Sequence, residues 1–136
     1  MANLHGTGFD DVISQMRRLG EDAGDTCQRM LDAGAEAVRE AWTATADAHG
    51  FVDTGDMIAS ITVAQSKRDP GAPVREIFPQ GKDRKGVRNA EKAYILHYGT
   101  SKIAASYWVD EAEAAAEEPM ATAMAAVWDD FIRGRE

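Results

Sequence analysis

From Val109 to Phe131 the apolar residues Val109, Ala112, Ala116, Met120, Met124, Val127, Trp128 and Phe131 recur in one helical phase. A stripe this long is buried only if a helix packs along its whole length, which commits much of the chain to helix-on-helix contact. Pro119 interrupts the segment, but the phase is the same on both sides of it. A kink, or a short break with proline in a new first turn, is expected there, and not a reversal.

The other end of the chain carries the complementary pattern. Phe9, Val12, Ile13, Met16 and Leu19 form one stripe, and Gly20 is expected to end that helix. Ala23, Cys27, Met30, Leu31, Val38, Ala41, Trp42 and Thr45 line a second, longer helix that closes at Gly50. Gly24 and Gly34 inside it each cost about 1 kcal/mol relative to alanine, so a close approach of another backbone is expected there. Cys27, the only cysteine, is in phase with this stripe and reads as a small buried hydrophobe.

The middle of the chain changes period. Asp53-Thr54-Gly55-Asp56 is a turn and cap cluster leading into a short helical turn through Met57 and Ile58. A strand follows, with Ile61 and Val63 on one face and Ser60, Thr62 and Ala64 on the other. Asp69-Pro70-Gly71-Ala72-Pro73 is a loop, and Val74 to Phe78 is the second strand. Gln80 to Gly86 is polar and charged and is expected to be an exposed, mobile loop. Asn89 can cap a helix running to Tyr98 with Gly99 as its left-handed terminator, although Tyr94, Leu96 and Tyr98 also alternate as a strand would; the helix is favoured.

These elements define an α+β fold: a small antiparallel sheet in the middle of the chain, packed against two N-terminal and two C-terminal helices. At 136 residues one domain is expected, with residues 1–8 as a flexible arm and 9–136 as the domain. So small a sheet leaves an edge open, and an open edge invites pairing with another copy.

Charge is distributed unevenly. The net charge is −8, yet Lys67 to Lys92 carries eight basic and four acidic residues, a local +4 in a chain that is otherwise −12. An acidic chain is a poor candidate for gripping DNA phosphates, so the basic segment is expected to meet an acidic surface of a neighbouring copy before it meets nucleic acid. No apolar run reaches bilayer length and the N-terminus has no signal-peptide profile, so a cytoplasmic origin and no membrane association are expected.

A search for catalytic chemistry finds no constellation. His5, His49 and His97 share no ligand spacing, and His97, between Leu96 and Tyr98, reads as a buried, hydrogen-bonded structural histidine. Asp53 and Asp56 lack the further oxygen ligands that a divalent ion needs and read as caps. Glu117-Glu118 and Asp129-Asp130 are sequence neighbours, which point about 100° apart on a helix, so they are solvated faces and not an acid–base pair. No phosphate loop and no nucleophile elbow occur. Tyr94, Tyr98, Tyr107 and Trp108, interleaved with Lys92 and Lys102, resemble a base-stacking platform, but a core seam or subunit interface accounts for them better. No metal, cofactor or catalytic residue is therefore expected.

In order and spacing these pieces resemble the HK-ninety-seven-type phage family of gene-product-ten-like proteins, described as head–tail joining, neck or tail-completion components. The resemblance is carried by Val52-Asp53-Thr54-Gly55 with Met57, Ser60 and Ile61, by Tyr94 and Tyr98 ending in Gly99-Thr100, and by Trp108 with Ala112 opening the last helix. It spans Phe9 to Phe131. It implies a structural virion protein of a long-tailed phage or prophage, found in the virion neck or tail and in the host cytoplasm during assembly. Copies would form a ring, expected to be sixfold, at the junction of head and tail, with neighbouring connector, tail-terminator or tail-tube proteins as partners. DNA would pass transiently through it, past acidic helix faces that repel phosphate. Lys82, Arg84, Lys85 and Arg88 would form an interface. The alternative is a small nucleic-acid-binding or regulatory module using the basic segment 82–92, and a third reading is an enzyme built on Asp53, Asp56 and His97.

Overall fold

The computed structural model describes residues 7–51, 55–65 and 74–134, with side chains from Asp10 onward. Among the described residues the elements run α1 (Thr7–Ala48), α2 (Asp56–Ala59), β1 (Ile61–Gln65), β2 (Arg75–Pro79), α3 (Asn89–Tyr98) and α4 (Trp108–Arg133). The fold is α+β, with a two-stranded antiparallel sheet between helical N- and C-terminal parts. The expected arm falls mostly on residues 1–6, and the expected loop on 69–73; both lie outside the described residues.

The two expected N-terminal helices are one. α1 runs without a break through Gly20 for 42 residues, about 63 Å at helical rise. A glycine costs only about 1 kcal/mol in a helix, and no proline follows to make the stop absolute. α4 likewise continues through Pro119 as one helix: as expected, the chain does not reverse there, and the short break offered as one alternative is absent.

α1 and α4 pack antiparallel. His49 Nε2 near the start of the pair sits 2.7 Å from Glu111 Oε2, Gly34 faces Met120 and Met124, and Asp22 to Arg29 lie beside Phe131 and Gly134. The seam is made of small residues: Ala35, Ala112 and Ala116 are buried along it. A Cβ added to Gly34 would lie 2.9 Å from Met124 Cγ and Sδ. The close approach expected at Gly34 is thus real, but methionine side chains make it and not a backbone. Nothing lies within 4 Å of a Cβ added at Gly24. Cys27 is exposed, correcting its expected burial. The seam takes Thr26 instead, 1% exposed, whose hydroxyl bonds back to Asp22 O at 2.8 Å.

Trp108 is the centre of the core. It is fully buried, donates from Nε1 to Ala93 O at 3.2 Å, and meets Trp42 and Phe51 edge-on at 5.6 and 6.0 Å between centroids. It shares one buried cluster with Ala46, Met57, Ile61 and Ala93, and that cluster draws residues from α1, α2, β1, α3 and α4. Burying a tryptophan removes one of the largest apolar surfaces a side chain offers, which makes this the strongest single attraction between the elements.

The strands pair Ile61 with Pro79 and Val63 with Ile77, one residue later than the expected Val74–Phe78. Pro79, which lacks an N–H, stands at the terminal position of the ladder. Arg75 ties β2 to α1, donating from Nε to Asp32 Oδ1 at 2.8 Å and from Nη2 to Gln28 Oε1 at 2.6 Å.

Candidate interaction surface

The basic loop between β2 and α3 is ordered by a buried acid, which corrects the expectation of a mobile segment. Asp83 is 5% exposed. Its Oδ1 accepts from Lys85 N and Val87 N, both at 2.9 Å, its own N–H donates to Val87 O at 2.8 Å, and its Oδ2 pairs with Lys92 Nζ. This is an Asx turn closed by a short hairpin, and the Lys82–Arg88 bridge continues it. The Lys92 ammonium, with the two backbone N–H donors, outweighs burial and holds the Asp83 carboxyl below its ordinary range.

Of the four expected interface residues, Lys82, Lys85 and Arg88 are exposed on this loop. Arg84 is exposed too, but it is held: its guanidinium and its backbone N–H bond to Asp56 at 2.8 to 3.0 Å. The Asp56 carboxylate raises the Arg84 pKa, chiefly through these hydrogen bonds. Asp56 was expected to cap α2; its side chain serves the loop instead, and α2 has no side-chain cap. Asn89 makes no cap either, and its Nδ2 donates to Gln80 O at 2.8 Å, fastening the loop to the start of α3.

The remaining motif residues are structural. Gly55 has φ 80°, and Ser60 Oγ donates to Met57 O at 2.7 Å to finish α2; Asp53 and Thr54 lie outside the described residues. Gly99 has the positive φ a terminator needs, 77°, but with ψ −179° its backbone is extended and not left-handed helical. A Cβ there would meet Ala105 N and Ile103 O at 2.6 Å. Thr100 Oγ1 accepts from Lys102 N and Ile103 N at 3.1 Å. The link then folds back on α3: Ser106 N and Tyr107 N donate to Leu96 O and His97 O at 3.2 and 3.0 Å. His97 is buried, and its Nδ1 accepts from Val109 N at 3.2 Å. A side chain on α3 therefore caps α4, satisfying an amide that the helix itself cannot.

The aromatic cluster divides. Trp108 goes to the core, while Tyr94, Tyr98 and Tyr107 are 64, 56 and 53% exposed. Tyr94 and Tyr98 meet at 4.7 Å on one face of α3 with their rings tilted by 49°, and Tyr107 packs edge-on to His97 at 5.4 Å. Tyr107 itself has φ 51°, an uncommon value for a residue with a side chain. The segment from the basic loop through α3 to the start of α4 thus carries three exposed tyrosines and a set of exposed cations. Along α4 the sign is opposite, with Asp110, Glu111, Glu113, Glu117, Glu118, Asp129 and Asp130 exposed and Arg133 as its basic residue.

Sequence reasoning did not see the Asp83–Lys92 pair. The available signal was a lone aspartate two residues before a lysine and three before a glycine, which is turn chemistry inside a basic run. Among the described residues no group of three His, Cys, Asp or Glu could hold a metal ion, and no helix is long and apolar enough to cross a membrane.

The distinctive residues of the chain are thus placed at turns, at helix ends and in the core around Trp108. The family model described as "Bacteriophage HK97-gp10, putative tail-component" matches residues 10–109, from the early turns of α1 to the start of α4. The chain belongs to this family of phage tail components. Comparisons with curated proteins and with solved structures found no match.

Proposed function

We propose that the chain is a non-enzymatic virion protein that assembles with copies of itself into a ring at the head–tail junction, sixfold in the simplest case. The supporting observation is the presence on one protomer of two complementary surfaces: the Asp83-ordered basic loop with its neighbouring tyrosines, and the acidic flank of α4. Opposite charges on different faces favour head-to-tail contact, which closes into a ring when the rotation per subunit permits. Tyrosines are frequent interface anchors because they bring large area with few rotatable bonds. Connector, tail-terminator or tail-tube proteins would lie above and below the ring. Acidic residues left outside the contacts, Glu117 and Glu118 among them, would flank the channel and let DNA pass without adhesion.

The nucleic-acid-binding alternative has less support. One of its four cations, Arg84, is engaged by Asp56, and the chain as a whole carries −8. The test is a phage or prophage lysate lacking this chain. Unjoined heads and tails, restored to particles by adding the protein back, are expected; normal infectious particles would exclude the role.

A further inference from the structure

We propose that Lys82 and Arg88 form a two-cation notch that receives Asp110 and Glu113, at the start of α4, from a second copy of this chain. The backbone builds the notch. Asp83 N–H donates to Val87 O at 2.8 Å and Asn89 N–H donates to Gly81 O at 2.9 Å, so the Lys82–Arg88 bridge lies between two hydrogen bonds. Residues that face each other in this way are a non-hydrogen-bonded antiparallel pair, with Cα atoms about 4.5 Å apart and side chains on the same side. Two positive charges are therefore held side by side, which is unfavourable until an anion lies between them.

Nothing in the protomer supplies that anion. Among the described residues neither Lys82 nor Arg88 has an ion-pair partner, while Asp83 is taken by Lys92 and Arg84 is held by Asp56. Residues 82–92 carry five basic side chains against two acidic ones, Asp83 and Glu91, so the surplus is positive. Lys82 and Arg88 flank a hollow of about 220 Å³ that Phe78, Pro79 and Ala90 also line. An acidic side chain fits such a place: its carboxylate sits between the cations and its methylene stem covers the apolar lining.

The matching anions are on α4. Asp110 and Glu113 are three residues apart, which sets them side by side at about 5–6 Å on a helix, close to the spacing of the notch. Both are exposed, clear of the buried seam residues Ala112 and Ala116, and neither has an ion-pair partner among the described residues. Residues 103–132 hold seven acidic side chains and no lysine or arginine, so this surface has one sign throughout. Sign and spacing thus select a second copy as the occupant, because the chain carries both halves of the contact and its own fold does not join them. The halves differ, so the contact is heterologous and propagates from copy to copy. It rests on the reading that copies associate, and it does not need the ring to close.

The test uses the full-length chain in native mass spectrometry across a concentration series. The wild-type chain should give concentration-dependent oligomers. Lys82→Glu, Arg88→Glu should raise the concentration needed by about tenfold or more, and Asp110→Lys, Glu113→Lys should do the same from the other side. An equimolar mixture of the two double variants should return to the wild-type threshold, because every junction between alternating copies again joins opposite charges. That recovery also shows that both variants fold, and Lys82→Gln, Arg88→Gln should weaken association less than the reversal does. A wild-type chain that stays monomeric throughout, oligomers indifferent to both reversals, or a mixture that fails to recover would overturn the pairing. Salt-sensitive binding of duplex DNA, lost in Lys82→Glu, Arg88→Glu while the oligomers are unchanged, would assign the notch to phosphate and overturn it equally. A complete neck ring made of the Lys82→Glu, Arg88→Glu chain would sink the pairing and leave the ring standing. Recovery by mixing, in a chain absent from the neck, would uphold the pairing and contradict the ring.

Discussion

Gly34 on α1 lies directly beneath Met124 on α4, with room for a hydrogen and not for a methyl group: an added Cβ would stand 2.9 Å from both Cγ and Sδ of the methionine. This contact marks the register of the two long helices along their seam. Gly34→Leu should destabilise the fold by about 1–3 kcal/mol through overpacking. Gly24→Ala, with nothing within 4 Å, should stabilise it by about 0.5–1 kcal/mol. Paired urea titrations check both signs.

Trp108 is the largest fully buried side chain in a cluster drawn from five elements, and its replacement should be the most damaging single change in the core. Trp108→Ala should cost about 3–5 kcal/mol. Trp108→Phe should cost less, since it keeps much of the ring contact with Trp42 and Phe51 and loses the Nε1 bond to Ala93 O. Thermal unfolding followed by tryptophan fluorescence and circular dichroism orders the two variants.

Gly99 permits the return of the chain from α3 to α4. Its positive φ and the backbone atoms of Ile103 and Ala105 at 2.6 Å leave no place for a side chain. Gly99→Ala should destabilise by more than about 1 kcal/mol. Gly81→Ala, also at positive φ but with open space around it, should cost less. Chemical denaturation of the two variants side by side gives the comparison.

The Asp83 lock has a definite pH dependence. Its carboxyl pKa is lowered by Lys92 first and by the Val87 and Lys85 amides next. A group whose folded pKa is depressed contributes stability that is complete above its unfolded value and is lost as pH falls through the folded one. The loop should therefore stay closed at neutral and mildly acidic pH and open only below the usual carboxylate range. Asp83→Asn should open it at neutral pH, seen as faster hydrogen exchange at the Lys85 and Val87 amides.

Much of this architecture was legible from pattern. The α4 stripe held phase through Pro119, and the strands, the α2 turn and the α3 helix fell close to where alternation and turn residues placed them. Gly20 misled because glycine is a weak helix breaker, and a helix that packs along a partner further on tolerates it. Asn89 and Asp56 misled because both are good caps by residue type, while their observed partners, Gln80 O and Arg84, are chosen by tertiary placement. The basic loop looked mobile because two of the contacts that organise it, Asp83 with Lys92 and Arg84 with Asp56, are between residues that a charge count only cancels. Exposure of Tyr94 and Tyr98 depended on which face of α3 met Trp108, and composition carries no information on that.

The proposed place of this chain is a ring around the DNA path at the neck of the particle. Cryo-electron microscopy of purified virions tests it most directly. A ring of copies at the head–tail junction, each fitted by the α1–α4 pair with the Trp108 core facing the small sheet, is the predicted result. Virions complete at the neck and free of this chain would contradict the account.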